Sequence, residues 1–206
     1  MKTSRRKFIA VAGNMGVGKT ELVSFLCRRY ELKPFYEPNE ANPYLQDFYK
    51  DMRAWAFHSQ VYFLTHKFRL HRQLEREPGT VVQDRTIYED AEIFARNLHL
   101  QRHISARDWR TYQELYEVVS AALQPPDLMI QLRASVRTVR KRIRLRGRPE
   151  EQAVPLRYLR RLNDLYDAWF RRWSACEVLA IDTDRLDYLA DLVDRIDLLE
   201  RIERYL

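Results

Sequence analysis

Residues 13–20 read GNMGVGKT, which sets Gly13, Gly18, Lys19 and Thr20 in the order G-x-x-x-x-G-K-[ST]. A chain with this spacing can hold a polyphosphate. Glycines let the backbone turn so that successive N–H groups face an anion, and the N-terminus of a following helix adds about half a positive charge. On this reading the backbone of Gly13, Asn14, Met15, Gly16, Val17 and Gly18 cradles the phosphates. Lys19 reaches the terminal phosphates and the Thr20 hydroxyl ligates magnesium. The loop implies a nucleoside triphosphate and nothing narrower, because kinases, motors and GTPases share it.

Where the phosphoryl group goes has to be read at the other strand ends. KPFYEP (33–38) carries Glu37 at the end of a short strand-like run, and GTVVQD (79–84) ends on Asp84, with Arg85 next. A carboxylate at Glu37 can accept the proton of an attacking hydroxyl. Asp84 can help hold magnesium and its waters beside Thr20. Arg85 can steady the oxygens of donor and acceptor.

The elements that must position these groups follow from the apolar pattern. Strands are expected at KFIAVAG (7–13), 33–38, 79–84, Leu128–Leu132 and EVLAID (177–182). Helical periodicity covers 20–30, a long aromatic-rich stretch at 42–77, then 87–99, 106–123, 135–145, 155–173 and 184–205. SARD at 105–108 is a capping-box pattern, and GRPEEQAVP (147–155) reads as a loop. Strands separated throughout by helices predict an α/β fold, a five-stranded parallel sheet with helices on both faces. Ligands of such sheets sit at the carboxyl ends of the strands, where Gly13–Thr20, Glu37, Asp84, Arg85 and Asp182 fall.

The bulk properties exclude several classes. With 206 residues the chain is expected to be a single domain with a proper core, and 46% apolar and 12% aromatic residues exclude disorder. No apolar run approaches the ~18 residues of a membrane span. MKTSRRKFIAVAG has the look of a weak signal peptide, but its apolar part is only about seven residues and runs straight into the glycine loop, so a strand is expected. Cys27 and Cys176 have neither metal spacing nor a disulfide framework, and a reduced, cytoplasmic setting is expected. The net charge of +7 is spread out. Its densest patch, VRTVRKRIRLRGR (136–148), is followed at once by PEE, which suits a polyphosphate better than a long duplex.

Further stretches carry a resemblance. EP then NPYL, FYKD, WAFHSQ, DRTIYED and RIRLRGRPEE occur in the order and spacing of the deoxynucleoside kinase family, and the likeness runs over nearly the whole chain. The bacterial deoxyadenosine and deoxyguanosine kinases look nearest, through ANPYLQDFY and DRTIYED. The resemblance implies a P-loop kinase fold and a homodimer joined through the helices of 42–77 and 86–123. It implies Glu37 as the base on the 5′-hydroxyl and Arg85 beside the 5′-oxygen. Tyr49 and Glu151 would share the 3′-hydroxyl. Gln60 would pair with the base through an amide that both donates and accepts. Lys67, where the family commonly has arginine, and Asp90 would lie near the base, with Trp55 and Phe94 as pocket walls. Singly, the aromatics are as readily core residues, and the combination carries the assignment.

In the family RIRLRGRPEE is a lid, here about 142–153, that closes over the donor phosphates. Arg142 and Arg146 are four apart, on one helical face, and Arg148 follows Gly147. These three are expected to face the phosphates, Arg144 the solvent. The expected reaction is transfer from ATP, with Mg2+, to the 5′-hydroxyl of a deoxynucleoside, with no part for nucleic acid or membrane. Purine deoxynucleosides or deoxycytidine are favoured over thymidine by Asp90. A nucleoside monophosphate kinase and a nucleic-acid-binding ATPase are the rival readings.

Overall fold

The computed structural model describes residues 6–36, 42–152, 154–184, 186 and 192–205. Five strands form one parallel sheet in the order β2-β3-β1-β4-β5: β1 (Phe8–Ala12), β2 (Lys33–Phe35), β3 (Val81–Asp84), β4 (Leu128–Arg133) and β5 (Glu177–Asp182). The central strand β1 is buried at every residue. Phe8, Ala10 and Ala12 join one core with Leu64, Ile93, Tyr112 and Trp169. Ile9 and Val11 join another with Leu22, Val23, Leu26, Leu198 and Ile202. Two covered faces explain why FIAVA is an unbroken apolar run and does not alternate. The register sets Val11 beside Asp84 on one side and Ile130 on the other. The loop after β1 and the turn after β3 therefore leave the sheet at the same edge.

The strands agree with the sequence expectation; the helices differ in instructive places. The stretch 42–77 is two helices, α2 (Leu45–Lys50) and α3 (Met52–Leu74), after α1 (Lys19–Tyr30). Asp51 makes the break: its Oδ1 accepts from the N–H groups of Arg53 (3.0 Å) and Ala54 (3.1 Å), so it caps α3 and ends α2. α3 then buries Ala56, Gln60, Leu64, Lys67, His71 and Leu74, a stripe spaced by three and four that carries three polar groups inward.

The run after β3 is not a plain helix. α4 (Ile87–Glu89) leads into a π-helical turn (Asp90–Ala95) and then α5 (Arg96–Leu100). Such π turns are rare and are frequently found at functional sites. α6 (Ala106–Ala121) starts as the SARD pattern predicts, with Asp108 N–H donating to Ser105 Oγ at 3.1 Å. α7 (Val136–Arg146) ends at Gly147, whose φ is +72°. The segment read as a loop holds one further turn, α8 (Pro149–Gln152), begun by a proline suited to a first helical position. α9 (Leu156–Phe170) buries Leu159, Leu162, Tyr166 and Trp169, and α10 (Leu192–Glu203) covers the latter part of the expected 184–205. Among the described residues no helix is long and apolar enough to cross a membrane.

Candidate active site

The glycine loop adopts a conformation that its sequence demands. Gly13 has φ +148°, and a Cβ there would lie 2.5 Å from the Leu132 carbonyl oxygen. Gly16 has φ +70°, with a Cβ meeting Ile143 at 2.8 Å. No side chain fits either position. Lys19 is buried, its Nζ donating to the carbonyls of Gly13 (2.7 Å) and Asn14 (3.0 Å). The side chains between are occupied elsewhere. Asn14 donates to Leu159 O and Asn163 Oδ1, Met15 packs on Val139, Ile143 and Leu159, and Val17 lies in the core. What Asn14, Met15 and Val17 offer a ligand is backbone. Thr20 Oγ1 donates to Asp84 Oδ2 at 2.6 Å, which brings the two expected magnesium residues together.

One residue past Asp84 the chain turns through Arg85, a non-glycine residue at φ +63°. Its N–H donates to Val11 O (3.1 Å), and its carbonyl accepts from Lys67 Nζ (2.8 Å). The guanidinium lies over the Phe94 ring, 4.5 Å from its centroid. The π turn thus supplies two expected site residues, Asp90 at its start and Phe94 near its end, with Asp90 buried. Gln60 is buried on α3, and among the described residues its Oε1 has no hydrogen-bond partner. A buried amide oxygen left so costs about 1–3 kcal/mol, which a ligand or water can recover. Burial, with the Asp90 carboxylate beside it, pushes the Tyr112 hydroxyl well above its ordinary range.

Other expected residues are less gathered. Tyr49 is 57% exposed and edge-on to Phe48. Trp55 stacks on Tyr44 at 5.8 Å and tilts against His58 at 5.3 Å. In the segment expected to form a lid, Arg142 donates to Val17 O (3.0 Å), Thr183 Oγ1 (2.9 Å) and Thr183 O (2.7 Å), tying α7 to the phosphate loop and to the end of β5. Arg146 bonds to Glu151, and Arg148 lies 3.6 Å from the same carboxylate. Glu151 is therefore held by Arg146 and Arg148 in this structure. Glu37 lies outside the described residues.

Sequence reasoning missed three residues here. Tyr158 on α9 has its hydroxyl raised by burial, an effect opposed by the nearby Arg85 charge and reinforced by Tyr49, so it stands among the candidate site groups. Thr183 receives Arg142. Glu89 is fully buried. Its Oε1 accepts from Gly13 N–H (3.2 Å) and Tyr166 OH (2.8 Å), and its Oε2 from Thr86 N–H (2.9 Å). The T-x-x-E spacing of Thr86 and Glu89 is a readable capping box. Nothing local marks Tyr158 or Thr183.

Comparison with known proteins agrees with this geometry. The deoxynucleoside kinase family model matches residues 9–206. The chain is 35% identical over 189 residues to a deoxyadenosine/deoxycytidine kinase of Bacillus subtilis, covering 91% of this chain and 87% of that one. It is 34% identical to a deoxyguanosine kinase of Lactobacillus acidophilus, over 94% of this chain and 88% of the relative. Among solved structures, deoxyadenosine kinase from M. mycoides with bound dATP superposes with a TM-score of 0.81 at 28% identity, over 97% of this chain and 100% of that one. A phosphate loop, a strained arginine at the next strand end and a likeness spanning the whole fold lead to one conclusion: this chain belongs to the deoxynucleoside kinase family.

Proposed function

We propose that the chain transfers the γ-phosphoryl group of ATP to the 5′-hydroxyl of a deoxyribonucleoside, giving the 5′-monophosphate for nucleotide salvage. The observation that carries this reading is the shared sheet edge. The phosphate loop, with Lys19 and the Thr20–Asp84 pair, lies beside Arg85, whose turn is in contact with Lys67 and Phe94. In this scheme the loop N–H groups bind the triphosphate and Lys19 leaves the Gly13 and Asn14 carbonyls for its terminal oxygens. Glu37 takes the hydroxyl proton, and Arg85 stabilises charge on the oxygens in flight. Thr20 and Asp84 are the residues that would hold magnesium. Such an ion neutralises charge on the phosphates. Their hydrogen-bonded oxygens are hard donors of the kind magnesium takes.

Gln60 would pair with the base, Lys67 and Asp90 would lie at its edge, and Phe94 and Trp55 would flank it. Tyr49 and Glu151 would bind the 3′-hydroxyl. Glu151, now paired with Arg146 and Arg148, couples sugar binding to lid closure over residues 142–153, since those arginines are the ones that would move onto phosphate. Arg142 would keep the lid anchored on the loop.

The acceptor preference follows from Asp90. A carboxylate accepts from an exocyclic amino group, which adenine, guanine and cytosine carry and thymine lacks. Initial rates with the four deoxynucleosides and ATP are expected to favour deoxyadenosine, deoxyguanosine or deoxycytidine. A strong preference for thymidine refutes this assignment, and product formed only from monophosphates refutes the nucleoside reading itself.

The same family expectation makes the chain a homodimer. The packed pair α3 and α6 supports it by leaving apolar side chains outside the core, among them Leu115 (37% exposed) and Val118 (72% exposed). Light scattering is expected to give twice the 24.9 kDa chain mass, and a mass of one chain at micromolar concentration would refute it.

A further inference from the structure

We infer that Glu89 is a positioning residue for phosphoryl transfer, a buried clamp that ties the phosphate loop to the turn carrying Arg85. The inference rests on the kinase reading above. One carboxylate joins three segments far apart in sequence: Gly13 at the start of the loop, Thr86 immediately after Arg85, and Tyr166 on α9. Each link bears on a group with a chemical task. The Gly13 carbonyl is one of the two oxygens that hold Lys19 Nζ, so fixing Gly13 fixes where the lysine starts. Arg85 sits at φ +63°, a conformation that costs about 1–3 kcal/mol and persists only where the surroundings over-determine it. The bonds that flank it are Arg85 N–H to Val11 O on one side and Thr86 N–H to Glu89 on the other.

A helix cap alone does not account for this arrangement. The capping box between Thr86 and Glu89 uses one carboxylate oxygen, Oε2, which accepts from Thr86 N–H and lies 3.4 Å from the Thr86 hydroxyl. The other oxygen leaves the box and takes donors from the phosphate loop and from α9. A carboxylate suits this place because both of its oxygens accept only. Glutamine has the same volume, yet its NH2 would face either the Gly13 N–H and Tyr166 OH or the Thr86 N–H. One link must open.

The test is steady-state kinetics of Glu89→Gln beside the parent, with rates normalised to the folded fraction from near-UV circular dichroism. A misplacement of about 1 Å can cost up to about 10²-fold, so kcat is expected to fall about 30- to 100-fold while KM for the deoxynucleoside stays within about threefold. A cap with only a structural role predicts a lower melting temperature with kcat per folded molecule unchanged, and that result overturns the inference. An inactive parent instead sinks the kinase reading. Should Glu89→Gln give no folded protein, Tyr166→Phe decides. It removes one donor from Oε1, and kcat is expected to fall about three- to tenfold, the weight of one net hydrogen bond, at unchanged KM. An unaltered kcat there overturns the inference as well.

Discussion

Glu37→Ala is expected to lower kcat by about 10²- to 10⁴-fold, the range for loss of a general base, while ATP binding is largely spared. The reasoning starts from register. β2 ends at Phe35, paired with Gln83, so the chain leaves the sheet beside the turn that carries Arg85. Glu37 follows two positions later in the sequence. The proposed donor site is built from other parts of the chain, the glycine loop with Lys19 and Thr20, so removing the acid is expected to leave the triphosphate site intact. Glu37→Gln separates the two tasks a carboxylate could have. The amide still accepts a hydrogen bond from the sugar hydroxyl and can orient it, but takes no proton. A kcat close to the parent's in the alanine variant would remove Glu37 from the role of base. Activity in the glutamine variant alone would leave it only as an orienting group. Calorimetric titration with ATP supplies the second arm, and a large loss of affinity there would mean that the acid serves the donor.

The sheet and the phosphate loop were legible in the sequence because both are written locally. FIAVA is apolar throughout since both its faces are covered, and GNMGVGKT carries glycines where no Cβ fits. Other features were not legible, for physical reasons. The break at Asp51 lies inside a continuous apolar periodicity, and a single capping carboxylate outweighs it. The π turn was hidden because 87–98 buries Ile87, Tyr88, Asp90, Ala91, Ile93, Ala95, Asn97 and Leu98. With so little exposed face, nothing fixes the period. The expected lid shows the same limit at longer range. The spacing of Arg142 and Arg146 placed them on one face, yet one reaches Val17 and Thr183 and the other Glu151. Those partners are chosen by tertiary structure. Glu89 stands between these cases: its cap was readable, and its bond to Gly13, 76 residues away, was not.

Arg85→Gly is expected to lower turnover by about 10²- to 10³-fold, as loss of a donor aimed at developing charge does, with little change in stability. Two terms of similar size oppose each other in the fold. Glycine adopts φ +63° without a Cβ penalty, which relieves about 1 kcal/mol or more of backbone strain. Against this, the guanidinium leaves the Phe94 ring, a contact of about 0.5–1 kcal/mol at a partly exposed site, and the unfolded chain gains freedom. The expected net is within about 1 kcal/mol of zero by urea unfolding. Activity has no such compensation. Arg85→Lys sharpens the result: it keeps the charge, and it keeps the strain, but replaces a rigid planar fork by a point charge on a flexible stem, which lacks the fixed bidentate geometry. It should therefore be slow as well, while gaining none of the relief that glycine brings. Turnover of the glycine variant within tenfold of the parent would show that the turn is strained for some other reason. A large loss of stability would show that Arg85 is held in place for the fold rather than for the reaction.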